Sequence, residues 1–261
     1  MKKYKLILIL LMSFSISVNA LAQKQYDIVV YGGTSAGISA AIQASRMGKS
    51  VALIEPTDCL GGLTTGGLGQ TDIGNKQAIG GISREFYQNI RKYYDNPKNW
   101  KWQSKEEYAD DGQTRTSKEE DTMWTFEPSA AKYVFAEMIA PEKIDIFYNL
   151  RLNRETGVKM KDKQISVIKM ETGESFKGKM FIDATYEGDL MAAAGVSYTI
   201  GRESNAVYGE TLNGVQANRL SYTLKRWTST NGYNHNFVEG VDPYIIKGDP
   251  ASGLLPGISA V

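Results

Sequence analysis

Residues Asp27 to Pro56 read DIVVYGGTSAGISAAIQASRMGKSVALIEP, and the way this stretch divides into segments sets the fold. Ile28, Val29 and Val30 form a short β-branched run of the kind buried in a parallel sheet. A glycine turn follows, and from Ser35 to Met47 the residues Ile38, Ala41, Ile42 and Ala44 recur at helical spacing. Gly48 stands where a helix ends in a left-handed residue, and Val51, Ala52, Leu53 and Ile54 make a second strand. Strand, helix and strand within about thirty residues make one βαβ unit, whose crossover is right-handed. The expected fold is therefore α/β, of the Rossmann-like kind.

The turn itself, Tyr31 to Gly37, reads YGGTSAG. A G-x-G-x-x-G loop would place glycines at 32, 34 and 37, and position 34 holds a threonine. Alone the match is weak. It gains weight because it follows a buried strand, opens a helix, and has Glu55 at the end of the second strand. Gly32 permits the tight turn, Gly37 lets helix and strand pack closely, and the helix N-terminus offers N–H groups and partial positive charge to a pyrophosphate. Glu55 is placed to accept hydrogen bonds from ribose hydroxyls, and it would repel a 2′-phosphate. At Thr34 two compensations are open: a hydroxyl bonded to a phosphate oxygen, or added freedom from Gly33. The competing reading is a structural glycine turn in an unrelated α/β protein.

Further along, a glycine- and threonine-rich passage without periodicity runs from Cys59 to Gly81. Within it Gly61-Gly62-Leu63-Thr64-Thr65-Gly66-Gly67 lies just beyond Glu55. A nicotinamide dinucleotide has no need of a second glycine loop there, whereas FAD needs backbone along its pyrophosphate and ribityl chain. A flexible surface loop is the alternative. A third candidate is FIDATYEGDLMAAAG, in which a strand from Met180 to Ala184, read as buried, returns Ala184 and Thr185 beside the first loop, before a helix closed by Gly195. Asp183, Glu187 and Asp189 invite an acid–base role, although carboxylates at such junctions are more often caps.

Further helices are expected along Ile82, Phe86, Ile90 and Tyr93 after an N-cap at Ser83, and from Pro128 to about Ile139. Strands are expected at IDIFYN, ISVIKM and SFKGKMFIDAT, a third parallel strand followed by a small β-meander. The segment 96–123 reads as an excursion of no assignable structure. Its Trp100, Trp102 and Tyr108, with Trp124, could line a substrate cleft or be partly buried. His235 is the only histidine and Cys59 the only cysteine, which excludes an internal disulfide, an iron–sulfur cluster and a histidine-based metal site; no metal is expected.

The first 22 residues have Lys2, Lys3 and Lys5 ahead of an apolar run from Leu6 to about Ile16, then Ala20-Leu21-Ala22. That is the anatomy of a signal peptide, so a secreted or periplasmic protein is expected, with no membrane span after cleavage. Losing those three lysines takes the formal charge from +1 to −2, and nothing in that balance calls for nucleic acid.

DIVVYGGTSAGISAAIQASRMGKSVALIEP, LGGLTTGGLG and MFIDATYEGDLMAAAGV, in that order, resemble the FAD-dependent oxidoreductase family of secreted bacterial proteins, members of which are often labelled xanthan lyases. In that family G-G-[TS]-x-[AS]-G is a common form of the first loop. The resemblance implies FAD held at its pyrophosphate by Gly32, Gly33, Thr34, Ser35, Ala36 and Gly37, and at its ribose by Glu55. It implies Gly61, Gly62, Leu63 and Thr64 along the flavin side, with Ala184 and Thr185 near the adenosine half. Where the family often reads A-T-G, this chain has Ala184-Thr185-Tyr186.

The implied activity is hydride transfer to FAD from an organic substrate, a carbohydrate among the candidates, with the electron acceptor and any catalytic residue unidentified. Relatives run longer and close the site with a C-terminal strand and helix, which nothing after Val196 resembles. The expected organisation is thus a signal peptide over 1–22, an FAD-binding domain over 23–196, and a truncated start of a substrate or cap region over 197–261. A nucleotide-binding fragment without turnover is the alternative. A polysaccharide lyase is disfavoured by the βαβ start.

Overall fold

The computed structural model describes residues 25–108, 120–198 and 208–209. The signal segment, His235, residues 109–119 of the excursion and nearly all of 197–261 lie outside them. The chain divides after Val196 into two units, and every strand and helix named here belongs to the first.

Strand β1 (Gln25–Tyr31) leads through the glycine turn to helix α1 (Ser35–Arg46) and on to β2 (Val51–Ile54). The two strands are parallel, in register from Ile28 against Val51 to Tyr31 against Ile54. Helix α1 buries Ile38, Ala41 and Ile42 of the stripe expected from the spacing, with Ala44 half-buried, and it also buries Gly37. It stops at Gly48, whose φ is +75°, with Gly48 N–H donating to Ser45 O and Lys49 N–H to Ala44 O. These bonds satisfy carbonyls that the helix end leaves open.

Beyond β2 come a single turn, α2 (Leu63–Gly66), then α3 (Gly81–Asp95), α4 (Pro128–Ile139) and β3 (Ile144–Phe147), which joins β2 in parallel. The last strands are β4 (Val158–Lys161), β5 (Gln164–Lys169) and β6 (Ser175–Asp183), followed by α5 (Asp189–Ala193). The six strands lie in the order β3-β2-β1-β6-β5-β4. β6 is parallel to β1, whereas β5 is antiparallel to both β4 and β6. A Rossmann-type β3-β2-β1 half and a β-meander therefore share one sheet, as the sequence led one to expect.

Successive residues of a strand face opposite sides, and the two cores follow that alternation. Val30, Val51 and Leu53 pack under α1, α3 and α4, while Val29, Tyr31, Ala52 and Ile54 pack against Leu152, Ile168, Met170, Phe176 and Leu190. Every residue of β2 is at most 1% exposed, so each large apolar side chain there contributes about 1.5–3 kcal/mol of burial. Arg46 ties α1 to α3 by a two-pronged contact with Glu85 at 2.7 and 2.8 Å, and it also donates to Glu142 at 2.8 Å. The guanidinium holds the Glu85 carboxyl below its ordinary range.

Four local expectations need correction. Helix α3 begins at Gly81 with Gly80 as its N-cap, so Ser83 lies inside the first turn; the Gly80 carbonyl takes the Arg84 N–H, and no side chain caps the end. Strand β4 was not foreseen, because its hairpin turns on Asp162 and Lys163 at φ +50° and +65°, without the glycine that signals such a turn. The stretch from Met180 is only partly buried: β5 pairs with β6 only as far as Lys177, Met180 is 62% exposed, and Phe181 to Ala184 are half-buried. Trp124 is fully buried, its indole N–H donating to Glu120 at 2.8 Å, so it lines no cleft.

Candidate functional site: three loops at one end of the sheet

β1, β2 and β6 run parallel, so the segments leaving their C-terminal ends meet on one side of the sheet. In open α/β sheets this is where ligands bind. The first loop is held by both neighbours. Gly32 N–H donates to Ile54 O at 2.8 Å and Gly33 N–H to Glu55 Oε2 at 2.7 Å. Gly32 has φ +101°, and a Cβ on it would lie 2.7 Å from the Ala184 carbonyl carbon and the Thr185 nitrogen. A Cβ on Gly37 would lie 1.9 Å from Gly32 O. One glycine lets the third loop close against the first, and the other lets α1 begin where it does.

Thr34 is the N-cap of α1, in extended conformation. Its Oγ1 accepts from Gly37 N–H at 3.2 Å and donates to Ala184 O at 2.7 Å. The hydroxyl's one proton is therefore spent on the backbone of the third loop, leaving none for a phosphate oxygen. Gly33 shows no left-handed conformation; it is small because a Cβ would strike Leu60 Cδ2 and Glu55 Oε2. The structure shows neither compensation that the sequence left open for position 34, but a third, in which threonine joins the helix start to the end of β6. Ser35 is half-buried and Ala36 exposed, and the Ala36 N–H in the first turn finds no acceptor among the described residues.

Glu55 is 7% exposed, and its carboxylate organises the end of β2. Besides Gly33 N–H on Oε2, Oε1 accepts from the Thr57 N–H at 2.8 Å and the Thr57 hydroxyl at 2.7 Å. A carboxylate has about four acceptor positions, so about one remains. Thr57 went unremarked in the sequence, though its hydroxyl makes a local side-chain-to-backbone turn by accepting the Cys59 N–H at 3.2 Å.

In the second loop Gly61 N–H donates to Gly33 O at 2.7 Å, and Thr34 and Gly61 form a short parallel bridge. Gly61 and Gly62 have φ +100° and +54°. Leu63 is exposed and Thr64 half-buried; Thr65, buried beneath them, donates to Leu60 O at 2.6 Å. The third loop starts with Ala184 N–H donating to Tyr31 O at 2.8 Å. Thr185 donates its N–H and hydroxyl to Asp183 Oδ1 at 3.0 and 2.7 Å, and Met191 N–H donates to Asp183 Oδ2 at 2.8 Å. Asp183 is thus a cap for α5 and its turn, and Tyr186, also unforeseen, reaches back to the second loop. Burial pushes the phenol of Tyr31, beneath the first loop, above its ordinary range.

The cradle suits a flavin dinucleotide by its donor chemistry. The open first-turn N–H is free to bind an anion, the carboxylates of Glu55 and Asp183 are turned to backbone donors, and a Cβ at Gly66 or Gly67 would meet nothing within 4 Å. Away from it, Trp100, Trp102 and Tyr108 line one pocket together with Asn99, Lys101 and Gln103. Among the described residues no three His, Cys, Asp or Glu side chains cluster as metal ligands would, and no helix is long and apolar enough to cross a membrane.

Among solved structures the chain is similar to L-proline dehydrogenase from P. horikoshii, at 16% identity and a TM-score of 0.43, over 69% of this chain and 59% of that one. It is similar to L-amino acid deaminase from Proteus vulgaris at 17% identity and a TM-score of 0.44, over 69% and 52%. With thioredoxin reductase from T. acidophilum the values are 18% and 0.35, over 62% and 35%. The chain spans less than two thirds of each of these proteins, and at such TM-scores the likeness says nothing of chemistry. No curated protein matches it. The family described as FAD dependent oxidoreductase matches residues 27–245, most of the chain. With its three loops gathered at the ends of β1, β2 and β6, this chain belongs to the FAD-dependent oxidoreductase family.

Proposed function

We propose that this chain supplies the FAD-binding part of an oxidoreductase acting on an organic substrate. The observation that carries the reading is the joining of the three loops, Gly33 to Glu55 and Gly61, Gly32 against Ala184 and Thr185, around the open first turn of α1. Ala36 and the start of α1 would hold the pyrophosphate, and the remaining acceptor position of Glu55 a ribose hydroxyl. Gly61, Gly62, Leu63 and Thr64 would run beside the flavin half. The bound flavin supplies a two-electron acceptor for hydride, and the protein's part is to bind and orient it.

The finer parts of the reading rest on narrower support. A carbohydrate substrate is favoured by Trp100, Trp102 and Tyr108 on one pocket, where aromatic faces stand beside amide and amine donors. Trp102 is 87% exposed. Secretion or a periplasmic location is favoured by the Lys-rich, apolar and small-residue order of residues 1–22. The alternative, a nucleotide-binding fragment without turnover, predicts a chain that takes adenine nucleotides and leaves flavin free. A lyase has no observation in its favour.

The deciding experiment is titration of the purified chain with FAD, read by flavin fluorescence and the visible spectrum. Saturable binding with a perturbed flavin spectrum is expected. AMP binding without FAD binding would replace this reading with the fragment alternative.

A further inference from the structure

The phenol of Tyr186 crosses from the third loop to the second, where its Oη accepts the Leu63 N–H at 2.8 Å. Position 62 is emptied to seat it: a Cβ on Gly62 would stand 2.2 Å from that oxygen. The contact joins residues 123 positions apart and occupies the Leu63 N–H of the second loop. An oxygen that accepts a hydrogen bond keeps its own proton, and among the described residues nothing takes the Tyr186 proton. The hydroxyls of Thr34 and Thr185, by contrast, have given theirs to Ala184 O and Asp183 Oδ1. Tyr186 is 58% exposed, so the donor it retains is accessible beside the loops.

Resting on the FAD reading above, we infer that Tyr186 is a cofactor-positioning residue. Its O–H donates to an oxygen of the flavin-side phosphate or ribityl chain while its Oη stays on the Leu63 N–H. Where a glycine at 186 would let backbone come close, this chain carries a side chain that reaches across to the second loop. A tyrosine O–H to a phosphate oxygen is a charge-assisted bond, stronger than one between neutral groups. Because its partner Leu63 lies in the loop assigned to the flavin half, loss of the hydroxyl should weaken FAD and spare AMP, a signature that a merely structural tyrosine lacks.

The test compares the wild-type chain with Tyr186→Phe in three measurements: FAD affinity by quenching of flavin fluorescence, AMP affinity by calorimetry, and the thermal unfolding midpoint without ligand. The expected result is FAD affinity lowered about tenfold, AMP affinity within about twofold, and an unfolding midpoint within about 2 °C of wild type. FAD affinity unchanged in the variant overturns the inference and leaves the flavoprotein reading standing. Equal losses of FAD and AMP, or a lowered midpoint, also overturn it, by assigning Tyr186 to holding the loops in place. A wild-type chain that binds AMP and no FAD overturns the flavoprotein reading and this inference together.

Discussion

The two glycine-rich loops look alike on paper and are built differently. In the first, Gly32 and Gly37 are required by backbone that cannot move far, that of Ala184 and Thr185 and the carbonyl of Gly32 itself, while Gly33 faces the Leu60 side chain and the buried carboxylate of Glu55. In the second, the atoms nearest the glycines are side chains, Thr65 beside Gly61 and Tyr186 beside Gly62, while Gly66 and Gly67 have open space. The first loop is glycine-rich because strands and helix converge on it. The second is glycine-rich where it turns and where a phenol sits, and beyond that Gly66 and Gly67 are unconstrained by packing.

Substitutions put that contrast to the test. Gly37→Ala places a methyl group on a fixed carbonyl and should cost more than about 4 kcal/mol, seen as loss of cooperative unfolding or of soluble protein. A variant of near wild-type stability would show that the first loop can yield. Glu55→Ala strands the buried Gly33 N–H and frees Thr57, at about 2–4 kcal/mol in chemical denaturation. Less than about 1 kcal/mol would mean that water replaces the carboxylate.

Thr34→Ala removes a cap and the bond to Ala184, at about 1–2 kcal/mol, with Thr34→Ser recovering most of it. No recovery by serine would point to packing of the threonine methyl. Gly66→Ala, in the helical turn of the second loop with nothing near it, should change stability by no more than about 1 kcal/mol and most simply in the favourable direction. A large loss there would erase the contrast between the loops.

Much of the fold was legible because its signals are local. The periodicity of Ile38, Ala41 and Ile42, the stop at Gly48 and the apolar run Val51–Ile54 depend only on neighbours along the chain, and all three stand in the structure. Helix α4 likewise begins at its proline and ends at Ile139. The failures were also local in cause. Asp162 and Lys163 adopt a turn usually signalled by glycine, and Ser83 looked like a cap while the helix began at a glycine before it. In the candidate site the three loops were legible as motifs. What each side chain does inside them was not, because Thr34, Glu55 and Tyr186 all act on residues distant in sequence.

The amino-acid sequence was sufficient for the βαβ unit, the two glycines that admit its tight turn and close packing, the carboxylate at the end of β2, and, with the two later loops in order, for the family. Spacing, turn chemistry and strand composition are properties of short segments, and short segments can be read directly. Two features came from the assembled fold: the Thr34 proton goes to a carbonyl 150 residues away, and the Tyr186 phenol closes on the second loop. A hydroxyl takes whichever acceptor the fold brings within about 3 Å, and only the completed sheet settles which one that is.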